Sequence, residues 1–472
     1  MTHADLLSIA PELFLAGAGC LILLLEAFAQ RTRPAFTGLS VAAALGAAWL
    51  VWNLPSGTSC GGLIESTGLT VAGSLIVLTS MTLALLASQG YLRRERILGG
   101  EYHALVLWCA TGMLLMLRSV ELLTIFVSLE LLSLCLYALA AYNRKVVVGS
   151  EAALKYFLMG AFASAFVLYG IALLFGTTGS TFLPRIGEVF AGGVASPVVG
   201  AFGVILLIAG FGFKMSIAPF HAWAPDTYQG APSPYVAFLS VAPKAASAFV
   251  LIRVLSTVFP GELGVNWSVI IATLAALSMV VGNFLALVQK DIKRMLAYSG
   301  VGHMGYLLIP LAGLDLSSAA DGGSWRPVLV YLAAYALMNA GAFAVIAMLY
   351  ARPGEQHLIS ELSGWGFRYP LLGFCLTICM LSLGGIPPTL GFLGKYLVFL
   401  HAVTHGQTWL ALLGVLTSVV GVFYYLRVVY MLYMKAEVRE PSELVIDGWG
   451  KTAVVLAALG TLALGIFPAL IL

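Results

Sequence analysis

Charge is scarce in this chain: 10% of its 472 residues are Asp, Glu, Lys or Arg, against roughly 25% in an ordinary soluble domain. No basic block points to nucleic acid and no acidic run points to a solvated arm. The six cysteines show neither CxxC nor Cys/His ligand spacing, so neither zinc nor an iron–sulfur cluster is implied, and no cofactor is expected on this chain. There is no Ser/His/Asp arrangement, phosphate loop or flavin site. Gly300-Val-Gly302-His-Met-Gly305 matches the dinucleotide pattern GxGxxG but follows a basic loop rather than a strand, so it reads as close helix packing. No stretch has the polarity of an extramembrane domain or the alternation of a β-barrel.

What fills the chain instead is hydrocarbon. The hydrophobic set makes up 60% of residues and the mean hydropathy is +0.98. A water-soluble protein of this length cannot bury that much apolar surface. A helix crossing ~30 Å of hydrocarbon needs ~20 mostly apolar residues. Such runs occur at 6–29, 35–54, 69–91, 103–118, 121–142, 152–176, 198–221, 235–258, 267–288, 297–314, 327–350, 370–400, 408–434 and 451–471. The sequence therefore predicts an all-α polytopic membrane protein with about fourteen transmembrane helices. The fourth and tenth runs are short, and the twelfth is long enough to be broken. The first run follows acidic residues rather than a basic segment, which makes it a span rather than a signal peptide.

Counting Lys and Arg on alternate sides gives fifteen against four, the four being Arg118, Arg185, Arg253 and Arg326. The richer side is expected to be cytoplasmic, which puts both termini outside. Two spans, the seventh and the twelfth, contain Gly- and Pro-rich interruptions and lie five helices apart. The expectation is two inverted five-helix repeats, spans 4–8 and 9–13, each with a broken helix. This divides the chain into a three-helix segment (1–100), a first repeat (101–260), a second repeat (261–435) and a C-terminal helix (436–472).

Five basic residues fall inside spans: Lys155, Lys214, Lys244, Lys395 and Arg427. A charge at mid-membrane costs ~2.5–3.5 kcal/mol on insertion scales, so it persists mainly where it faces protein or water. Lys214 precedes Pro219, Lys244 follows Pro243, and Lys395 follows Gly384-Gly385-Ile-Pro387-Pro388. Glu130 is central in the fifth span, and His303 lies in an apolar stretch with Tyr298 and Tyr306. Each taken alone is explained by a polar helix contact. Several together, beside helix breakers, point to a path for ions. Lys155 and Arg427 are placed to snorkel to the cytoplasmic headgroups.

The run Lys214-Met-Ser-Ile-Ala-Pro-Phe-His221-Ala-Trp-Ala-Pro-Asp226-Thr-Tyr-Gln-Gly resembles the signature of the antiporter-like membrane subunits of proton-pumping NADH:quinone oxidoreductase, respiratory complex I, and in particular the N type. Ser128-Leu-Glu130, Val241-Ala-Pro-Lys244, Gln289-Lys-Asp-Ile-Lys-Arg and Gly385-Ile-Pro-Pro-Thr-Leu-Gly-Phe-Leu-Gly-Lys395 extend the resemblance over essentially the whole chain. The resemblance implies that Glu130 and Lys214 form the ion pair of a first half-channel, Lys244 the central relay and Lys395 the group of the second half-channel. His221 and His303 would belong to the polar axis between them, with Lys155 also on the pathway. It implies proton translocation driven by redox chemistry elsewhere, with NADH, FMN, iron–sulfur clusters and quinone on partner subunits. The expected partners are the neighbouring membrane subunits and the bilayer, in a bacterial inner membrane. The alternatives are a subunit of a multi-subunit cation/proton antiporter, a quinone-binding subunit and a passive scaffold.

Overall fold

The computed structural model describes residues 3–193, 196–258, 265–313, 325–349, 357–436 and 447–471. The chain begins with α1 (His3–Ser8), α2 (Ala10–Phe28), α3 (Phe36–Trp52), a hairpin of β1 (Gly57–Ser59) and β2 (Ile64–Ser66), and α4 (Gly68–Arg94). It continues through α5 (Gly100–Arg118), α6 (Leu122–Ala140), α7 (Val147–Thr178), α8 (Leu183–Ala191), α9 (Pro197–Met215), α10 (Trp223–Gly230), α11 (Ser233–Leu239) and α12 (Ala242–Val258). The last part holds α13 (Trp267–Leu287), α14 (Ile292–Ala312), α15 (Arg326–Leu349), α16 (Trp365–Arg368), α17 (Pro370–Gly384), α18 (Leu390–Thr404), α19 (Thr408–Met434) and α20 (Gly448–Ile466).

Among the described residues, thirteen segments are long and apolar enough to cross a membrane, α11 and α12 counting as one. The remaining crossing is made by α17 and α18. Each has 15 residues, about 22 Å of helix, so neither alone spans ~30 Å. The total is the expected fourteen. Span ends are set by local chemistry as well as hydropathy. Asp291 caps α14 by accepting from the Lys293 and Arg294 amides, so the tenth span starts at Ile292 and is longer than the apolar run alone suggests. Glu121 caps α6 through the Thr124 amide, and Thr67 and Thr70 form a reciprocal cap at the start of α4.

The two repeats are recognisable from what packs on what. The first two helices of each, α5 with α6 and α13 with α14, lie along one another, and the third, α7 or α15, packs on the broken span. Because five is odd, the second repeat is inverted relative to the first. The helices α11, α12, α14 and α15 are almost wholly buried and form the centre, while α2 and α20 keep broad apolar faces outward. The N-terminal helices are fastened by a buried ion pair. Arg118 Nη1 donates to Glu12 Oε1 at 2.6 Å, and its other branch reaches the Ser8 carbonyl and Ser66 Oγ at 2.7 and 2.9 Å.

Candidate functional site

Both broken spans are built to one plan. The first half-helix ends in a residue of left-handed conformation, Ser216 (φ 60°) after α9 and Gly385 (φ 80°) after α17. Three residues on comes Pro219 or Pro388, each following a cis bond. Both pairs of positions are 169 residues apart. The last carbonyls of each first half-helix are left without helical partners at membrane depth, where they present a negative dipole end. A lysine lies near each break. Lys214 is itself in the last turn of α9. Lys395, on α18, reaches back and donates to the Leu383 carbonyl (3.0 Å), the Gly384 carbonyl (3.1 Å) and Ser418 Oγ of α19 (2.8 Å). The breaks match in register, yet the lysines occupy different registers. Leu383 stands where Lys214 stands in the first repeat.

The third central lysine also follows an interruption. Lys244 lies in the first turn of α12, just beyond the bend at Ser240 and Val241 that divides α11 from α12. Its side chain is fully buried and, among the described residues, its Nζ has no hydrogen-bond partner. It lies 5.6 Å from the Tyr228 ring centroid and against Gly300 of α14, where an added Cβ would approach Nζ to 2.8 Å and Tyr335 Oη to 2.9 Å.

One turn along α14 from Gly300 is His303. Its Nδ1 is 2.6 Å from Tyr331 Oη and its Nε2 2.9 Å from Tyr425 Oη. Tyr425 Oη in turn bonds Ser299. Tyr306 accepts from Asn283 Nδ2 at 3.0 Å and donates to Thr417 Oγ1 at 3.3 Å, and Tyr424 donates to Asn283 Oδ1 at 3.0 Å. The Tyr306 ring lies 5.9 Å from His303 and 5.2 Å from Lys395 Nζ. Hydroxyl and imidazole groups thus fill the space between Lys244 and Lys395. The glycines of α14 make room for this. A Cβ on Gly282 of α13 would overlap the Gly302 backbone, and one on Gly305 would come within 2.7 Å of the Met279 amide. Close packing is therefore the role of the GxGxxG run.

The other expected residues are distributed unevenly. Glu130 is half-buried, with Oε1 enclosed and, among the described residues, without a hydrogen-bond partner. Among the described residues no carboxylate lies within 4 Å of Lys214 Nζ, which donates instead to Tyr137 Oη at 3.2 Å. His221 sits in the first break, half-buried, with its ring 6.2 Å from Tyr298 and, among the described residues, no hydrogen-bond partner at Nδ1. It does not join the His303 cluster by any hydrogen bond among the described residues. Lys155 stands apart from the buried lysines. It is 49% exposed and pairs with Glu151 (2.8 Å) and Asp226 (3.2 Å). Asp226 also takes Arg294 at 2.6 Å, and Arg294 reaches Gln229. Burial raises the Asp226 carboxyl, but the hydrogen bonds and charges of Arg294 and Lys155 outweigh it and hold it below the usual carboxylate range. This network ties α10 to α7 and α14 at a rim. Arg427 donates to the Leu287 and Gln289 carbonyls at the end of α13.

Sequence reasoning missed Tyr137, Tyr331, Tyr335, Tyr425, Asn283 and Ser418. The usable signals were Asn283 inside an apolar span and the i, i+4 pair Tyr331 and Tyr335 on one helix face. Among the described residues no group of three His, Cys, Asp or Glu side chains is placed to hold a metal. A cavity of about 640 Å³ between α18 and α19 has Lys395, Ser418 and Gly384 at its floor and apolar walls that include Phe399 and Val415.

Residues 119–421 match the family described as NADH:quinone oxidoreductase/Mrp antiporter, transmembrane. The chain is 40% identical to NADH-quinone oxidoreductase subunit N of Trichlorobacter lovleyi, over 98% of this chain and 95% of the relative. It is 38% identical to subunit N of Paramagnetospirillum magneticum, over 98% and 94%. A chain of respiratory complex I from Thermus thermophilus has the same fold, with a TM-score of 0.82 and 35% identity, each chain covered to 98%. A chain of the Mrp complex from Dietzia matches with a TM-score of 0.80 and 21% identity, covering 100% of this chain and 96% of that one, a likeness of fold alone.

Proposed function

We infer how this protein works from the premise that it belongs to the NADH-quinone oxidoreductase subunit N family, within the NADH:quinone oxidoreductase/Mrp antiporter group. It is a proton-translocating membrane subunit of that enzyme, it works among other membrane subunits, and it lies in the bilayer. The redox chemistry belongs to partner subunits, where NADH, FMN, iron–sulfur clusters and quinone are assigned.

In our reading, Lys214, Lys244 and Lys395 carry the proton, Glu130 modulates Lys214, and His303 with its tyrosines passes the proton between Lys244 and Lys395. The observation that carries this is the file of hydroxyls and one imidazole around His303, with buried Lys244 packed by Gly300 one turn away and buried Lys395 beside the Tyr306 ring, an arrangement able to move protons without moving side chains far. His221 is assigned to the mouth of the first break. Lys155 is assigned to the rim, where its pairs with Glu151 and Asp226 brace α10 and where protons enter. Residues 1–100, 101–260, 261–435 and 436–472 are proposed as an N-terminal three-helix segment, a first and a second antiporter-like repeat, and a C-terminal helix. The basic asymmetry supports a bacterial inner-membrane orientation with both termini periplasmic.

The test is NADH-driven proton uptake by inverted membrane vesicles, normalised to assembled enzyme. Lys244→Ala is expected to assemble and lose most of its pumping. Full pumping by that variant would remove the central relay. The antiporter reading predicts cation-dependent exchange without NADH, and the likeness to the Mrp chain supports only the shared fold.

A further inference from the structure

The Lys214 ammonium lies inside a cage of rings. Its Nζ is 5.0 Å from the Tyr137 ring centroid, 5.6 Å from that of Tyr156 and 5.6 Å from that of Phe213. Three helices, α6, α7 and α9, supply these rings, and Tyr137 adds its hydroxyl as the acceptor at 3.2 Å. The cage is braced from beyond the break. Trp223, the first residue of α10, stacks on Tyr156 at 4.4 Å and donates Nε1 to the Phe213 carbonyl at 2.9 Å. On α7, Gly160 leaves the space that the Tyr137 hydroxyl fills, since a Cβ there would overlap it. Glu130 and Tyr137 lie on one face of α6, seven residues apart, with Ser133 between them. Among the described residues the enclosed Glu130 Oε1 has no hydrogen-bond partner, and Lys214 uses one of its three ammonium donors.

We propose that Tyr137, Tyr156 and Phe213 form a second seat for the Lys214 ammonium, the alternative to the Glu130 carboxylate, and that Tyr137 is the positioning residue that decides between the two. The proposal rests on the reading of Lys214 as a proton carrier and says where that carrier goes when it leaves its carboxylate. The face of an aromatic ring attracts a desolvated cation. The lysine can therefore part from Glu130 while still protonated, because it moves from one stabilised site to another along a single helix face. Through Trp223 the seat is mechanically joined to α10, so displacement of that half-helix reshapes the cage and shifts the balance towards the carboxylate.

The test uses the assembled enzyme in inverted vesicles, with proton uptake measured against pH for Tyr137→Leu, Tyr137→Phe and Lys214→Ala. The titratable groups facing Lys214 are Glu130 and Tyr137 from α6, Tyr156 from α7 and Cys109 from α5. Tyr137→Leu removes ring and hydroxyl, and is expected to lower uptake per assembled enzyme roughly tenfold and to move the alkaline limb of the profile to lower pH. Tyr137→Phe keeps the ring, so its loss and its shift are smaller but in the same direction. A lowered rate with an unmoved profile would make Tyr137 structural and overturn the proposal, as would wild-type behaviour of Tyr137→Leu beside a defective Lys214→Ala. If Tyr137→Leu fails to assemble, the profile of Tyr137→Phe decides: a shift supports the second seat and no shift overturns it. Full pumping by Lys214→Ala would be a different failure, that of Lys214 as carrier.

Discussion

Lys395 Nζ donates to two backbone carbonyls and one hydroxyl, and among the described residues it meets no carboxylate. An arginine at this place keeps its proton at any working pH and brings five donors to a site shaped for three. Lys395→Arg is expected to assemble and lose most NADH-driven proton uptake, and Lys395→Ala to do the same; normal uptake by either would take the residue out of the path. Glu130 and Lys214 call for a different experiment, because they are near each other without touching. Glu130→Ala and Lys214→Ala should each depress coupled turnover, Glu130→Asp less so. The double variant should fall short of additivity by about 1 kcal/mol. Strict additivity would mean the two charges act separately. The residues that carried charge were legible in the sequence because charge at membrane depth is costly and therefore rare. Tyr331, Tyr335 and Tyr425 were not, since a tyrosine in an apolar span reads as ordinary packing until its hydroxyl is seen to have a partner. Nor did the sequence say that Lys214 faces Tyr137, because spacing fixes which helix face a residue occupies and not which of two nearby partners its side chain takes.

At the scale of the helix, the breaks matter more than the lysines they hold. Two features are shared by both, the left-handed cap and the proline three residues on, while the cation arrives from different registers. If the negative end of the first half-helix is what needs a cation, the cation's origin should be exchangeable. Leu383→Lys in a Lys395→Ala background puts the amine at the position matching Lys214, and we expect it to regain part of the lost uptake. No recovery above Lys395→Ala alone would show that the α18 origin is essential. Gly391 tests the same break by packing. Its Cα lies against the Ser382 carbonyl so closely that an added Cβ overlaps it. Gly391→Ala must push α17 from α18, at a cost of about 1–3 kcal/mol, and draws the Leu383 and Gly384 carbonyls away from Lys395. Reduced heat stability of the assembled enzyme, together with reduced pumping, is the expected result. The interruptions were readable as Gly and Pro clusters. The exposure of Lys155, inside what reads as an apolar span, has a physical reason as well. The helix α7 has 32 residues, about 48 Å of helix, which is longer than the ~30 Å hydrocarbon is thick, and an apolar window alone does not mark where the membrane ends.

For the molecule as a whole, fourteen crossings and an inverted duplication followed from composition, span length and an odd helix count. Which helices form the centre did not, because hydropathy treats lipid and protein interior alike. Orientation is open to direct measurement. Cys60 lies in the hairpin region between the second and third spans, half-buried, with its amide bonded to Asp5 Oδ1 at 2.8 Å. An impermeant thiol reagent should label it from the periplasmic side, slowly because the N-terminal segment partly covers it. Labelling only from the cytoplasmic side would reverse the orientation. The file of Ser299, Tyr425, His303 and Tyr331 carries a further consequence. Each hydroxyl has a single hydrogen, so the file as a whole points one way or the other. A proton that enters at one end and leaves at the other turns every O–H around and exchanges the imidazole tautomer. No second proton can follow in that direction until the row has swung back, whereas a returning one finds it already aligned. Such a wire keeps a memory of its last passenger, and any pump built on it must stop that memory from becoming a leak.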